Sequence, residues 1–570
     1  MFSHTFLLNQ LWKIQHEEGY LSDKAIRLLS RQTGRSWVDL EGVISFYHFF
    51  RRKPAGRFLI FLNNSILSEF AGFPEVLKAF QESTGAHLNQ TDPTDTFTLQ
   101  MASCIGLSDV EPAALINWRP FINLTPEKVH HLIHQLKSGT DIDDLADRPL
   151  SDAYPNDEEN KRLMIRPYQE GMAISKLIRM SPDEVIKEIM EAGLTGLGGA
   201  FFPTHLKWQS CRNQADPEKY IVCNADEGEP GTFKDRFLIQ KYPGLLLEGM
   251  ITAGFAVGAR QGVIYLRGEY QYLIPKIKDA IRHFKNEGWL GNDACGIPGF
   301  DFDIDLVIGA GAYICGEETA LLESLEGHRG EPRPRVHYPT ERGYLGKPTV
   351  VNNVETLCTA ARILEQGFEP YLNTRHPDSP GTKLFSIAGD CLYPGIYEIT
   401  WGITVGALLE RCGAVDPYAI QISGPSGELI PASWKDRMLG LHDLRCGGSV
   451  MIYNRQRDLL QILQNYNRFF MQESCGVCTP CRAGNYMLSV QLRKMERGLA
   501  STEDVDKLND WAKLMEYNSR CGLGQTAPKA IIQAAQRFPE IMDQHTRTKN
   551  APFDLDLATS AYDRIINELR

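Results

Sequence analysis

The sequence predicts a multidomain α/β protein, and three observations lead to this expectation. The 570 residues exceed the roughly 250 to 300 residues at which one hydrophobic core stops growing, so three or four domains are expected. Hydrophobic residues make up 43% and charged residues 23% of the chain, as in ordinary globular proteins. Between the glycine-rich loop at residues 193–200 and about residue 360, strand-like apolar runs alternate with helical patterns, which indicates an α/β layer domain.

Residues 1–140 are predicted to form a helical bundle followed by a thioredoxin-like domain. Apolar residues recur at helical spacing within residues 7–14, and Ser22 is placed to cap the next helix. Residues 57–62 have the apolar pattern of a buried strand, and residues 73–84 that of the helix which follows it.

The remaining domains follow a polar linker at residues 151–160. A capping-box pattern with proline at the first helical position predicts a helix over residues 182–192 in the α/β domain. Residues 380–455 contain short β-rich runs around one short helix, which predicts a small α+β domain. Residues 456–570 are helical in pattern and carry a cysteine cluster.

Charge and composition exclude several classes of function. The formal net charge of −11 argues against nucleic-acid binding, which usually requires a basic surface. The sequence has no run of about 18 apolar residues and no secretory signal pattern, so a soluble, cytoplasmic protein without a membrane span is expected. Thirteen cysteines in such a chain indicate metal or redox chemistry before disulfides.

The cysteine cluster predicts an iron–sulfur site. Cys475, Cys478 and Cys481 have C-x2-C-x2-C spacing, which allows one turn to direct three sulfurs at a single [4Fe-4S] cluster. Cys521 is the expected fourth ligand, because the glycines beside it let the backbone approach the cluster closely. The alternatives are structural zinc and structural thiols, but zinc ligands usually come as two separated pairs.

A glycine-rich loop at residues 193–200 is by itself only a tight turn, since it lacks the dinucleotide fingerprint. Its neighbours change the interpretation: Lys207 and the glycine-rich or polar segments 224–231, 309–318 and 352–353. Glycines with a lysine suit a phosphate and a planar ring, while carboxylates and amides suit sugar hydroxyls and ring edges. The alternative, a solvated acidic face or helix caps, explains three such segments less well.

These motifs resemble the flavin-bearing, NADH-oxidising subunit of respiratory complex I and its relatives. The resemblance covers about residues 170–540, and residues 1–140 resemble the thioredoxin-like partner of that subunit. The fused order and the tail at 552–557 are similar to the diaphorase alpha subunits of cytoplasmic NAD-reducing nickel–iron hydrogenases. The motifs that carry the resemblance are residues 198–204, 224–236, 309–322, 351–357 and 473–482.

The resemblance implies a Rossmann-like FMN and NAD(H) domain at 165–375, a ubiquitin-like domain at 380–455 and a helical bundle with the [4Fe-4S] cluster at 456–570. The implied FMN contacts are Gly196, Gly198, Lys207, Asn224, Asp226, Glu227, Tyr313, Asn352 and Asn353. The implied nucleotide contacts are Gly199, Ala200, Phe202, Glu229, Glu318, Arg335 and Tyr338, and Gly316 and Glu317 complete the cofactor site. Phe202 and Tyr338 are expected to sandwich the adenine, and Glu229 and Glu318 to seat the nicotinamide ribose.

The chain departs from the family pattern within the glycine loop. Leu197 replaces the usual arginine, Phe201 and His205 replace glycines, and Arg335 replaces a lysine. Phe201 is expected to narrow the nucleotide site, because a large side chain stands beside a loop meant to approach a cofactor. Nucleotide binding is still expected.

A second departure lies in the first domain. The thioredoxin-like family holds a [2Fe-2S] cluster with four cysteines, but Leu62 and Leu67 stand at the first pair, and Cys104 has lost its partner at Ser108. One thiolate cannot hold that cluster. Residues 1–140 are therefore predicted to bind no metal and to serve for docking or cover.

The predicted function is that of an NADH:acceptor oxidoreductase, a diaphorase. NADH is expected to give two electrons to FMN, which exchanges single electrons with the cluster, or the reverse. Glu227 and Glu318 are the catalytic candidates, tuning the flavin and hastening nucleotide release. The predicted partners are an iron–sulfur electron-transfer subunit and a nickel–iron hydrogenase module. The alternatives are an NADH-input subunit of complex I or of an NAD-dependent formate dehydrogenase, and a non-enzymatic scaffold that has lost FMN.

Overall fold

The computed structural model describes residues 6–158, 161–374 and 379–547. The chain forms two compact units: residues 1–388, 394–403 and 438–449 belong to the first, and residues 389–393, 404–437 and 450–570 to the second. The tail motif at 552–557 lies outside the described residues. Within the described ranges, no helix combines the length and the apolar character that a membrane crossing requires.

The first domain begins with the predicted helices and continues into a mixed sheet with helices around it. Ser22 caps the second helix by accepting a hydrogen bond from the Ala25 amide at 3.1 Å, which confirms the predicted cap. The helices and strands are α1 (Leu7–Glu18), α2 (Asp23–Thr33), α3 (Trp37–Ile44), β1 (Phe58–Asn63), α4 (Ile66–Phe70), α5 (Phe73–Thr84), β2 (Gln90–Thr91), β3 (Phe97–Ala102), β4 (Ala114–Ile116), β5 (Arg119–Phe121), α6 (Pro126–Lys137), α7 (Ile142–Leu145) and β6 (Ala153–Tyr154).

The sheet of this domain has the strand order β2-β3-β1-β4-β5. Strand β1 is central and buried along its whole length. Its residues Phe58, Ile60 and Leu62 share a hydrophobic core with α5 and α6, and the Phe61 ring contacts the rings of Phe49 and Trp118. The strand runs parallel to β3 and antiparallel to β4. Strand β1 and helix α5 confirm the elements predicted at residues 57–62 and 73–84.

The α/β domain is built around parallel strands. Ser181 and Glu184 form the predicted capping box at the start of α9, and Gly193 ends that helix with a left-handed φ of 69°. The elements are α8 (Met172–Leu177), α9 (Pro182–Ala192), α10 (Thr204–Arg212), β7 (Tyr220–Ala225), α11 (Lys234–Lys241), α12 (Pro243–Val257), β8 (Gln261–Leu266), α13 (Ile274–Asn286), β9 (Asp303–Ile308), α14 (Glu318–Leu325), α15 (Pro339–Arg342), β10 (Thr349–Asn353), α16 (Val354–Gln366) and α17 (Phe368–Asn373).

The strand order in this domain is β10-β7-β8-β9, with every described neighbouring pair parallel. Strands β7 and β8 are almost entirely buried, as expected for a parallel sheet covered on both faces. Because the strands are parallel, their carboxyl ends lie at one edge, where α/β proteins usually bind ligands.

The next elements contain the strands and the helix predicted within residues 380–455. They are β11 (Thr382–Gly389), β12 (Gly395–Thr400), α18 (Val405–Arg411), β13 (Pro417–Ile422), β14 (Glu428–Pro431) and β15 (Ser449–Asn454). Strand β12 pairs antiparallel with β11 and parallel with β6. Strand β13 pairs antiparallel with both β14 and β15.

The C-terminal part is mainly helical, as its sequence pattern predicts. Helix α20 packs against α19 and α21, and Gly484 allows α20 to approach the side chain of Met515 closely. The elements are α19 (Leu459–Glu473), α20 (Thr479–Glu496), β16 (Ala500–Ser501), α21 (Thr502–Asn518), α22 (Gly522–Thr526), α23 (Lys529–Arg537), α24 (Pro539–His545) and β17 (Thr546–Arg547).

Candidate functional site

The candidate flavin site lies at the carboxyl edge of the parallel sheet. Asn224 at the end of β7 is the register partner of Asn353 at the end of β10, so the two amide side chains stand side by side. The side-chain amide of Asn224 donates a hydrogen bond to the Gly316 carbonyl at 2.8 Å. This bond holds the loop after β9 at the same edge. The structure thereby brings together three segments that the sequence places far apart.

The glycine-rich loop folds back on itself and lies against this edge. The Gly196 amide donates to the Phe202 carbonyl at 2.9 Å, and the Phe201 amide donates to the Gly196 carbonyl at 3.1 Å. A Cβ added to Gly198 would lie 2.9 Å from the Cβ of Asn353, which is closer than packed carbon atoms approach. The loop therefore touches the strand ends only because residue 198 has no side chain.

Phe201 adopts a backbone conformation that suits the glycine usual in the family. Its φ is +53°, in the left-handed region that favours glycine. Its partly buried ring contacts the ring of Trp401 edge-on, with the centroids 5.9 Å apart. Leu197, in place of the usual arginine, is buried, and its amide donates to the Thr356 hydroxyl at 2.9 Å.

Lys207 and Asn352 extend the polar lining. The Lys207 ammonium lies 3.1 Å from a Glu318 carboxylate oxygen and donates to the Val351 carbonyl at 3.0 Å. The Trp208 indole donates to the Asn352 side-chain oxygen at 2.9 Å, which fixes the orientation of this side chain. A cation beside amide donors and a glycine loop has the chemistry that a phosphate and a flavin ring edge require.

Tyr313 holds the acidic segment at residues 224–231 in place. Its hydroxyl donates to a Glu229 carboxylate oxygen at 2.5 Å, and a Cβ on Gly228 would lie 2.9 Å from the Tyr313 ring. The Asp226 backbone lies near Gly316, because a Cβ added to Gly316 would lie 3.4 Å from the Asp226 carbonyl oxygen. Glu317, predicted to contact the cofactor, uses its carboxylate to cap α14, accepting from the Thr319 and Ala320 amides.

Glu227, two residues after β7 ends, is buried and not exposed at the surface. Its buried carboxyl accepts hydrogen bonds from the Asp235 amide at 2.8 Å, the Arg236 amide at 3.1 Å and the Tyr270 hydroxyl at 3.0 Å. Burial, followed by the charge of Asp235, raises the pKa of Glu227 to about 7. Its carboxyl thus fixes the start of α11, and its charge changes near neutral pH.

The predicted adenine contacts are at the surface. The side chains of Phe202 and Tyr338 are 52% and 72% exposed, and Ala200 and Arg335 are exposed as well. Exposed aromatic rings are available to stack on a base. The sandwich of the adenine between Phe202 and Tyr338 stays a prediction.

The candidate cluster site gathers the four predicted cysteines. Cys478 is the residue before α20, Cys481 lies in the first turn of that helix, and Cys521 is the residue before α22. Burial and, to a smaller extent, the charges of Cys478, Cys521 and Cys475 raise the pKa of the Cys481 thiol to about 12, against the lowering effect of a hydrogen bond with Ser474. Because each of these sulfurs acts on Cys481, all four lie in one neighbourhood.

Gly524 and Gly476 explain how the backbone reaches this neighbourhood. A Cβ on Gly524 would lie 2.8 Å from the Cβ of Cys481 and 2.6 Å from the Ser519 hydroxyl oxygen. Gly476, between the first two cysteines, has a φ of +76°, a turn that glycine adopts without strain. The residues present fit an iron–sulfur cluster, since four cysteines from two chain segments lie in one neighbourhood and thiolates are the ligands of such clusters.

Three protein-family models match the chain in consecutive regions. Residues 3–137 match the thioredoxin-like [2Fe-2S] ferredoxin model, residues 189–362 the Nuo51 FMN-binding domain, and residues 461–545 the NADH-ubiquinone oxidoreductase-F iron-sulfur binding region. These regions agree in type with the thioredoxin-like, flavin and cluster domains expected from the sequence.

Curated relatives extend the match to the full chain. The NAD-reducing hydrogenase HoxS subunit alpha of Cupriavidus necator is 43% identical, with 99% of this chain and 96% of that protein covered. An NADH-quinone oxidoreductase subunit of Aquifex aeolicus is 38% identical over 67% of this chain and 90% of its own length. The chain belongs to this family of HoxS alpha and NADH-quinone oxidoreductase subunits.

Solved structures of NAD+-reducing [NiFe]-hydrogenase support the same family. One chain in the H2-reduced state has a TM-score of 0.90 at 35% identity, with 99% of this chain and 97% of that chain covered. One chain in the air-oxidized state has a TM-score of 0.88 at 34% identity, with both chains covered completely. The mixed α/β multidomain fold of this HoxS alpha relative is therefore that of known hydrogenase subunits.

The thioredoxin-like domain of this HoxS alpha relative lacks the four cysteines that the sequence resemblance implies for a [2Fe-2S] cluster. Leu62 and Leu67 are buried apolar residues at two of the positions. Cys104 is buried, and the Arg267 guanidinium donates to its carbonyl at 2.7 Å. A Cβ on Gly106 would collide with the Tyr270 ring, so side chains from the flavin domain fill this region. The residues present do not fit a [2Fe-2S] cluster.

Two buried sets of ion pairs, one around Lys234 and one around Arg236, support the flavin domain and were not predicted from the sequence. The Lys234 ammonium lies 2.6 Å from Asp235 and 3.1 Å from Glu355, and it donates to the Asn353 side-chain oxygen. Arg236 is fully buried and pairs with Asp109 of the first domain at 2.7 Å. The signal was present, because all three charged residues 234–236 lie in a motif of the resemblance.

Proposed function

We propose that the chain is an NADH:acceptor oxidoreductase subunit, a diaphorase, of an NAD-reducing hydrogenase complex. One observation carries the proposal: a glycine loop is pressed against the asparagine side chains at the carboxyl edge of a parallel sheet. This arrangement is supported by the full-length similarity to the HoxS alpha subunit of Cupriavidus necator. The alternative of a scaffold that has lost FMN is less consistent with a preserved cradle of this kind.

In this proposal the polar edge holds FMN. Lys207 supplies a positive charge for the phosphate, Asn224, Asn352 and Asn353 supply hydrogen-bonding groups, and Gly198 permits close approach. When bound, FMN would provide the hydride chemistry and the iron–sulfur cluster the one-electron chemistry. The chain's own residues bind and orient these groups.

Glu318 links the two proposed binding regions. Its carboxylate pairs with Lys207 at 3.1 Å. Glu318 is the first residue of α14 and follows the loop that carries Gly316. NAD(H) is proposed to bind beside it, along Gly199, Ala200, Phe202, Glu229, Arg335 and Tyr338. Because Glu318 repels phosphates while Lys207 attracts them, the pair favours an orientation with the nucleotide phosphates away from the carboxylate.

The proposed domain organisation keeps the predicted boundaries. Residues 165–375 form a Rossmann-like FMN and NAD(H) domain, residues 380–455 a ubiquitin-like domain, and residues 456–570 a helical bundle with the [4Fe-4S] cluster on Cys475, Cys478, Cys481 and Cys521. Residues 1–140 bind no metal and cover the flavin domain, a role supported by the buried pair of Arg236 and Asp109.

Flavin content and dye reduction test this function directly. The purified holoprotein is expected to contain FMN and to reduce a one-electron dye with NADH. Loss of a charged hydrogen bond costs about 1.5 to 3 kcal/mol, so Lys207→Met is expected to weaken FMN binding about tenfold or more. Lys176→Met, at an exposed position of α8, is the matched control. A wild-type protein without flavin and without dye reduction would favour the scaffold.

The proposed partners are an iron–sulfur electron-transfer subunit and a nickel–iron hydrogenase module, in the cytoplasm. Co-purification from the native source distinguishes this proposal from its alternatives. A nickel-containing subunit that stays bound supports the hydrogenase assignment. A membrane-bound complex I assembly or a formate-oxidising partner would replace it with the corresponding NADH-input role.

A further inference from the structure

Cys391 and Cys412 lie on two short segments that pair side by side. The Leu392 amide donates to the Gly413 carbonyl at 3.0 Å, and the Tyr393 amide donates to the Cys412 carbonyl at 3.1 Å. The Val415 amide donates to the Asp390 carbonyl at 3.0 Å. The two segments form an antiparallel bridge in which Cys391 pairs with Ala414, so Cys412, two residues before Ala414, lies diagonally across from Cys391.

The segment that carries Cys391 is itself anchored. A carboxylate oxygen of Asp390 lies 2.7 Å from the Arg457 guanidinium, and the other accepts a hydrogen bond from the Asn454 amide at 2.8 Å. Cys412 ends α18, and Gly413 follows with a φ of +64°. Neither cysteine can therefore move far from the other without breaking these contacts.

The two sulfurs interact directly. Hydrogen bonding from the Cys391 thiol lowers the pKa of Cys412, and the Cys412 and Ala414 amides lower it further, against the opposing effect of burial. The same hydrogen bond raises the pKa of Cys391. Cys391 is partly exposed, whereas Cys412 is 0% exposed. One thiol is thus accessible from solvent, and the other lies buried beside it.

Cys295 offers a comparison outside the pair. It is partly exposed, and its thiol donates to the Trp289 carbonyl at 3.5 Å, whereas the Cys391 thiol forms a hydrogen bond with another cysteine.

We propose that Cys391 and Cys412 form a reversible disulfide through exchange with a low-molecular-weight disulfide. Cys391 attacks the small disulfide, forms a mixed disulfide with one half and releases the other half as a thiol. Cys412 then attacks the Cys391 sulfur and releases the second thiol. The protein pair loses two electrons and two protons, and the small disulfide gains them. The site is separate from the proposed flavin and cluster ligands.

Peptide mass spectrometry of the full-length holoprotein tests this assignment. The protein is incubated with oxidised glutathione, alkylated under native conditions, unfolded and digested. A cross-linked peptide joining Cys391 and Cys412 is expected, and reduction with dithiothreitol is expected to remove it. Separate alkylation of both residues after the oxidant, with no cross-link, would overturn the proposal.

Single variants separate the two roles and do not depend on the cofactors. Cys412→Ser is expected to accumulate glutathione on Cys391, because the second thiol is missing. Cys391→Ser is expected to gain no adduct at Cys412, because that sulfur is buried. Cys295→Ser, the matched control, should form the same cross-link as the wild type. An adduct at Cys412 in the Cys391→Ser variant would contradict the assigned order of attack.

Discussion

At the scale of single residues, the protonation of Glu227 in the candidate flavin site makes the stability of the folded state depend on pH. Burial and then Asp235 raise the pKa of Glu227 to about 7. A carboxyl whose pKa is higher in the folded state stabilises that state when protonated. The contribution is complete below the unfolded pKa of about 4.3 and is lost as the pH rises through about 7.

Glu227→Gln removes this titration. The melting temperature of the variant relative to wild type is therefore expected to rise between about pH 5 and about pH 8, because only the wild type loses its contribution. Thermal unfolding followed by circular dichroism at both pH values measures the difference. Glu191→Gln, at an exposed position of α9, should show no such trend. A relative melting temperature that falls over this range would contradict the assignment.

Phe201 gives a second prediction, because its φ is +53°. Phe201→Gly and Phe201→Ala both lose the contact with Trp401, but only glycine adopts this backbone without strain. The glycine variant is expected to be more stable than the alanine variant by about 1 kcal/mol. Phe255→Gly and Phe255→Ala, inside helix α12, should show the opposite order. Denaturant midpoints of the four proteins measure it, and equal midpoints at position 201 would contradict the strain.

At the scale of elements, helix α22 provides a matched pair of glycines at the cluster site. Gly524→Ala places a Cβ 2.8 Å from Cys481 and 2.6 Å from the Ser519 hydroxyl oxygen, whereas a Cβ on Gly522 has open space. Gly524→Ala is expected to retain less than half of the wild-type iron, and Gly522→Ala to retain all of it. Iron and sulfide analysis measures this, and equal iron in both variants would show that the cluster lies elsewhere.

The elements also show what the sequence could predict. Helix α9, the cap at Ser22 and the cysteine spacing from 475 to 481 depend on residues close in sequence, so their patterns were sufficient. The role of Glu227 was not predictable in this way, because its carboxyl caps α11 and meets Tyr270 from another loop. The positive φ of Phe201 was also hidden, since only the folded loop imposes it.

At the scale of the whole molecule, the first domain and the flavin domain share a buried ion pair. Arg236 is fully buried and bonded to Asp109, and 127 positions separate the two residues. No local pattern predicts a contact across such a distance. The same holds for the Arg267 contact with the Cys104 carbonyl, which brings a flavin-domain side chain to the single cysteine of residues 1–140.

Breaking this pair is expected to destabilise both domains. Asp109→Asn leaves the Arg236 guanidinium buried without its counterion, which costs about 3 to 5 kcal/mol. The double variant Asp109→Leu with Arg236→Met removes both charges and should cost less than the single change. Chemical unfolding monitored by tryptophan fluorescence measures the two effects. A single variant within about 1 kcal/mol of wild type would contradict the role of the pair.

An anaerobic titration of the purified holoprotein with NADH tests the central claim most directly. Visible absorption is expected to show bleaching of the flavin, and electron paramagnetic resonance to show a reduced [4Fe-4S] cluster in the same sample. Cys521→Ser is expected to keep the flavin bleaching and to lose the cluster signal. A wild-type protein whose flavin and cluster spectra are both unchanged by NADH would contradict the account.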